Sequence, residues 1–158
     1  TLPDSNGTLD RLERAGNILQ VVYGTTSSQV ALNTTTYIDS GLSASITPSS
    51  STSKILVLLD QSCEWAKNTG SGGMGVRVLR DAVIINEPQA TTVPLTDYIA
   101  DGNQHYFRLS MTILDSPATT NSVTYKTQGK TFTGCTAHFQ AGSNTKGASR
   151  IVLMEVAV

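Results

Sequence analysis

Two histidines and twelve carboxylates are the ordinary acid–base groups of this chain, and none of them falls in a catalytic signature. His105 stands just before an alternating apolar stretch and His138 lies inside another. Both read as packing or surface residues rather than as bases. Asp97 and Asp101, followed by Gly102-Asn103, share the loop TDYIADGNQH. Loop oxygens of that kind suit a hard cation such as Ca²⁺. The ligand ladder is incomplete, however, and Asp-Gly-Asn is also an ordinary turn. Asp60, Glu64, Glu87 and Glu155 are scattered along the chain, so spacing assembles no carboxylate pair of the glycosidase kind.

The abundant serines have no Gly-x-Ser-x-Gly elbow and no identifiable His/Asp partners. The glycine-rich GSGGMG at Gly70–Gly75 opens a strand, whereas a phosphate cradle needs the amides of a helix N-terminus. Cys63 and Cys135 are far apart, outside any Cys-x-x-Cys or Cys/His metal pattern. They read as reduced, largely buried thiols, and spacing alone does not support a bridge between them. Asn6-Gly7-Thr8 and Asn33-Thr34-Thr35 match glycosylation sequons, which chance explains without a secretion signal. The expectation is a protein that is not an enzyme and takes no cofactor and no catalytic metal.

Surface recognition remains. Trp65, the single tryptophan, stands where a strand enters the loop KNTGSGG that begins at Lys67. It suits either stacking on a sugar face or capping the core, with the core favoured because aromatics supply so much burial in a chain with only 6% of them. Asn68 in that loop, and Asp97, Tyr98, Asp101 and Asn103 in the other, complete the candidate recognition residues. Arg77, Arg108 and Glu155 occupy alternating strand positions, either exposed or paired across a subunit interface.

The elements that position these residues are strands. Short pieces rich in Val, Ile, Tyr and Thr alternate with Ser/Thr/Asn/Gly punctuation, the pattern of an antiparallel sandwich. Strands are expected at Ile18–Tyr23, at Thr35–Ile38 and Ser43–Thr47 around a turn at Asp39-Ser40-Gly41, and at Lys54–Leu59. The last is nearly unbroken in apolar residues and is expected in the centre of a sheet with both faces covered. Trp65–Gly73 reads as a flexible loop, Met74–Leu79 and Ala82–Asn86 as a hairpin across Arg80-Asp81, and Glu87–Thr96 as an extended crossing. In Tyr106–Leu114, Phe107, Leu109, Met111 and Ile113 share one face, with Arg108, Ser110 and Thr112 on the other. Val123 and Tyr125 point inward, and strands at Phe132–Phe139 and Arg150–Val158 complete the set. Val152, Met154, Val156 and Val158 share a face, and so apolar a strand belongs inside a sheet. The expected fold is all-β: an antiparallel jelly-roll-like sandwich of nine or ten strands over residues 16–158, preceded by a short N-terminal arm over 1–15. In the arm, Thr8 caps a turn or two of helix carrying Leu9 and Leu12, too short to stand alone and suited to touching a neighbour.

The chain has 158 residues, a mass of 16.7 kDa and a net charge of −1, with 39% hydrophobic and 15% charged residues. One domain of this size buries enough surface to fold without a staple. Nothing in it forms the basic patch of a nucleic-acid binder, and no apolar run has the length of a membrane span. The first residues lack the basic and apolar regions of a secretion signal, and a leading Thr1 fits both removal of an initiator and a piece of a longer chain.

Four stretches carry a resemblance. GNILQVVYGT, YIDSGLSASITPSSSTSKILVLLDQS, LDSPATTNSVTYKTQ and the closing IVLMEVAV resemble virion-surface domains of tailed bacteriophages, of the tail-fibre-like type found in marine and cyanobacterial phages. The resemblance covers about Gly16 to Val158 and its motifs are structural. It implies a homotrimeric β-sandwich projecting from a virus particle that is assembled in the host cytoplasm. Its partners would be its own copies and other tail or capsid proteins. As a tail-fibre domain it would present the Trp65–Gly73 and Asp97–His105 loops to a host-surface glycan or receptor, with avidity from many weak contacts. As a capsid decoration or head-fibre protein it would clamp capsid subunits with its arm and one sandwich face. Outside that setting, a carbohydrate-binding module is the competing class, and it would need a row of exposed aromatics.

Overall fold

A computed structural model describes residues 14–67, 73–87, 104–141 and 147–158. Among these the chain is all-β, with ten strands. They are β1 (Ile18–Thr26), β2 (Val30–Leu32), β3 (Ile38–Ile46), β4 (Lys54–Lys67), β5 (Met74–Arg80), β6 (Val83–Asn86), β7 (Gln104–Asp115), β8 (Val123–Thr131), β9 (Cys135–Phe139) and β10 (Ser149–Val156). All pairings are antiparallel, in a six-stranded and a four-stranded sheet that face each other as a sandwich. The four-stranded sheet runs β3-β8-β5-β6.

The six-stranded sheet is forked. β4 is 14 residues long and serves as its trunk. On one side β7 pairs with it from Ile55 through Ala66. On the other side β10 pairs with Lys54–Asp60 and β9 with Cys63–Lys67, and these two strands in turn carry β1 and β2. Where the neighbours change, the trunk's backbone is satisfied by other means. Ser62 donates its N–H to Ser149 Oγ at 2.9 Å, and its carbonyl accepts the Gln140 N–H at 3.0 Å. A buried backbone group left unpaired there would be costly.

The expected placement of the C-terminal strand holds, since β10 lies between β1 and β4. The expected hairpin forms with Asp81-Ala82 as its two-residue connection. Asp81 takes φ +53° and accepts the Thr124 N–H on its carboxylate at 2.9 Å, as the left-handed turn geometry favours. Several boundaries differ from expectation. Asp39-Ser40-Gly41 does not separate two strands but forms a bulge inside β3, where register with β8 jumps between Asp39 and Ser43 and Gly41 takes φ +79°. The run Phe132–Phe139 begins with a bend, completed at Gly134 (φ +84°), before β9 starts. Trp65, Ala66 and Lys67 belong to β4 rather than to a loop, and residues 68–72 lie outside the described residues.

Inside the sandwich the core has two apolar clusters. One gathers Leu42, Ile46, Ile55, Val57, Leu59, Tyr125, Ile151 and Leu153. The other gathers Leu32, Cys63, Trp65, Met74, Val76 and Phe139. Gly129 lets the second cluster close, because a Cβ there would strike the Phe139 ring and come within 3.0 Å of Leu32. Between the clusters lies a buried polar layer of Ser40, Gln61, Thr127, Gln140 and Ser149. Gln61 Nε2 donates to Ser149 Oγ at 3.0 Å. The Gln140 amide is turned so that its oxygen accepts from Gln61 Nε2 at 2.6 Å and from Ser149 Oγ at 2.9 Å, while its nitrogen donates to the Ser28 and Ser40 carbonyls. The Ser40 hydroxyl bonds that of Thr127 and accepts the Leu42 N–H at 3.0 Å. Each member is satisfied, so the layer fixes how the sheets align without leaving an orphaned group.

Candidate functional site

The two outer faces of the sandwich have opposite chemistry. On the four-stranded sheet, outward positions of β3, β8 and β5 carry Asp39, Ser43, Ser45, Thr124, Lys126, Gln128 and Arg77. Asp39 accepts from Lys126 Nζ at 3.0 Å and from Gln128 Nε2 at 2.6 Å, and Arg77 donates through Nε and Nη2 to Gln128 Oε1 at 2.9 and 2.7 Å. The Arg77 guanidinium lies 4.2 Å from the Tyr37 ring centre and Lys130 Nζ lies 4.7 Å from it. Burial, then hydrogen bonding to Glu87, pushes the Tyr37 hydroxyl up to about 12. Across β3, β8 and these β5 positions the face is polar and internally paired, and it turns apolar only at its β6 edge, where Val83 is 53% and Ile84 45% exposed.

The outer face of the six-stranded sheet differs. Register places Val21 beside Met154, Tyr23 beside Val152, Val152 beside Leu58, Met154 beside Leu56 and Leu114 beside Leu56. These side chains alternate with the buried Ile151, Leu153, Ile55 and Val57 and therefore point away from the core. Val21 is 58% exposed, Tyr23 56% and Leu114 56%, and Leu56, Leu58, Val152 and Met154 are partly exposed. The expectation that both faces of Lys54–Leu59 are covered thus fails on the outer side: among the described residues no second layer packs there. The apolar face shared by Val152, Met154 and Val156 is this outer one, and the inward residues of β10 are Ser149, Ile151, Leu153 and Glu155.

One row of charges bounds the apolar region. Arg108 grips Asp60 through Nε and Nη2, both at 2.6 Å, and donates from Nη2 to the Ala148 carbonyl at 2.9 Å. Arg150 approaches the same carboxylate at 3.7 Å. The Arg108 hydrogen bonds hold the Asp60 carboxyl below its ordinary range, although burial opposes this. Tyr23, Leu58, Val152, Asp60, Arg150, Ser110 and Thr112 line a shallow groove of about 330 Å³ at this boundary. Beyond the row the face turns polar. His138 Nδ1 stands 3.5 Å from the buried Glu64 carboxylate, and Tyr106, 60% exposed, donates to Gln104 at 2.7 Å.

Of the residues proposed from sequence for recognition, Trp65 is described, and it is 1% exposed in the second core cluster. A sugar ring has no access to it there, which corrects its candidacy for surface recognition and agrees with the core alternative. The ring of His105 stands 6.2 Å from that of Trp65 and 5.7 Å from that of Phe107. Among the described residues the Trp65 indole N–H has no hydrogen-bond partner. Asn68, Asp97, Tyr98, Asp101 and Asn103 lie outside the described residues, as do the expected Glu87–Thr96 crossing beyond Glu87 and the arm through residue 13. Glu155 is neither exposed nor at an interface. It is fully buried and accepts from Ser49 N at 2.7 Å, Ser49 Oγ at 2.6 Å and Gln20 Nε2 at 2.6 Å. Arg77 and Arg108 pair within the chain. Cys63 and Cys135 are both unbridged. Register sets Cys63 four positions from the partner of Cys135, so about 13 Å of strand separates them along the sheet, too far for a bridge. Burial raises the Cys63 thiol far above its ordinary value and leaves it inert.

The outward residues Val21, Tyr23, Leu56, Leu58, Leu114, Val152 and Met154 were not singled out as a site from sequence. Their signal was present in KILVLL and IVLMEVAV. A strand apolar at every position has two dry faces, and a two-layer sandwich supplies cover for one of them.

No family model matches the chain, and no curated protein matches it in sequence. Among solved structures, a structure of infectious bursal disease virus, Gt strain, is similar with a TM-score of 0.39 and 12% identity over 88% of this chain and 38% of that chain. A mutant VP2 protein of the same virus in derived T=1 particles gives a TM-score of 0.38 and 12% identity over 88% and 36%. Dimeric latent PorU from Porphyromonas gingivalis gives 0.35 and 12% over 91% and 14%. The chain therefore spans well under half the length of each.

Proposed function

We propose that this chain is a non-enzymatic structural module on the surface of a tailed-phage virion, where it acts as a homotrimeric tail-fibre domain that contacts the host cell. The observation that carries this reading is the contrast between its outer faces. A charged, internally paired surface suits solvent, and a contiguous apolar block across four strands suits burial against other protein. Among the described residues, three ionisable candidates for chemistry are engaged in packing or pairing: His105 beside Trp65 and Phe107, His138 beside Glu64, and Asp60 under Arg108. Capsid decoration is the second reading, favoured by the breadth of the apolar face, which spans four neighbouring strands. Antibody raised to the purified protein and applied to intact particles separates them. Label on a tail appendage supports the fibre, label over the head supports decoration, and particles that lack the protein altogether would reject both.

A further inference from the structure

We infer that the outer face of the six-stranded sheet is the contact surface for a second copy of this chain. This deepens the homotrimer reading above and rests on it. The apolar part of the face is a four-strand block: Leu114 on β7, Leu56 and Leu58 on β4, Val152 and Met154 on β10, Val21 and Tyr23 on β1. It is continuous across the sheet, and its edges at Val21, Tyr23 and Leu114 are the most open, each more than half exposed.

Two properties of the face favour a copy of the same chain as its occupant. The first is size. β7 and β4 run together for twelve residues in a sheet four strands wide. At about 4.8 Å between strands and about 3.3 Å per residue, such a face covers about 760 Å², close to the roughly 800 Å² per partner of a standard specific interface. The apolar block alone covers about half of that, and the polar remainder supplies the rim that such interfaces show. The second is charge. The formal charges on the face are of both signs and close together: Asp60 lies between Arg108 and Arg150, Glu64 lies beside His138, and Lys54 stands in line with Leu56. A second copy therefore meets little repulsion. A strongly charged partner, such as a nucleic acid or an acidic polymer, finds no matching field.

The exposed positions allow a test that leaves the monomer intact. Tyr23→Glu and Val21→Glu each place a carboxylate in the block at a residue already open to water in the single chain. Ser45→Glu, on the charged outer face, is the control. Sedimentation velocity of the full chain from about 1 to 100 μM is predicted to show an oligomer for the wild type and the control. Each block variant is expected to associate more than about tenfold more weakly, with an unchanged far-UV spectrum. A wild type that stays monomeric at all these concentrations overturns the inference, as does a folded block variant that associates as tightly as the wild type. The virion reading stands or falls separately, on whether particles carry the protein.

Discussion

The Thr127 hydroxyl donates to Gln61 Oε1 at 2.7 Å, joining β8 of one sheet to β4 of the other in the middle of the sandwich, with both residues fully buried. This bond sits where the two apolar clusters part and where β4 exchanges β10 for β9. The polar layer therefore marks the fork of the larger sheet and holds the smaller one in register over it.

Gln61→Leu removes the hub of that layer. Thr127, Ser149 and Gln140 would each lose a partner without access to water, so a loss of about 2–4 kcal/mol is expected from the urea midpoint. Thr127→Val is expected to cost about 1–2 kcal/mol by orphaning Gln61 Oε1 and the Ser40 hydroxyl. In a double-mutant cycle the pair should be non-additive by at least about 0.5 kcal/mol. Additive losses would mean that the bond does not couple the sheets.

Glu155 gives the protein a defined acid limb. Burial favours its neutral form, but hydrogen bonds from Gln20, the Ser49 and Ser53 hydroxyls and the Ser49 N–H outweigh this and lower the carboxyl to about 2. A folded value below the unfolded one stabilises the protein above about pH 4.5, with the contribution lost as pH falls toward 2. The full effect is about 3 kcal/mol. Glu155→Gln should therefore be less stable at pH 7 and flatter between pH 4.5 and 2 in thermal melts. An unchanged acid limb in the variant would reject the assignment.

Trp65 is expected to act on stability and not on recognition. Trp65→Ala empties a site in the second core cluster and should cost about 3–5 kcal/mol. Trp65→Phe keeps much of the volume and also removes the unpartnered indole N–H, so it should cost less. A folded Trp65→Phe protein that loses host or glycan binding at unchanged stability would place the residue at the surface and contradict the packing described here.

Strand patterning made most of this fold readable. The alternation in Tyr106–Leu114 is so regular that Phe107, Leu109, Met111 and Ile113 fall on one face, and that is the face that packs on the core. The apolar C-terminal strand likewise required a place within a sheet. Gly41 was readable as a special backbone position but not as a bulge, because a turn and a bulge ask for the same positive φ. The polar layer left no signature: Ser40, Gln61, Thr127, Gln140 and Ser149 are spread over more than a hundred positions, and among so many serines and threonines nothing marks them as buried. The outer apolar face had no mark of its own, because periodicity does not say which side of a uniformly apolar strand faces the core.

The orientation of this domain in its assembly is the most direct test. In a density map of the intact particle or of the purified oligomer, the face bearing Val21, Tyr23, Leu58, Val152 and Met154 should lie against protein. The face bearing Asp39, Lys126 and Gln128 should lie against solvent. A map with the apolar face open to water and the charged face buried would contradict the account.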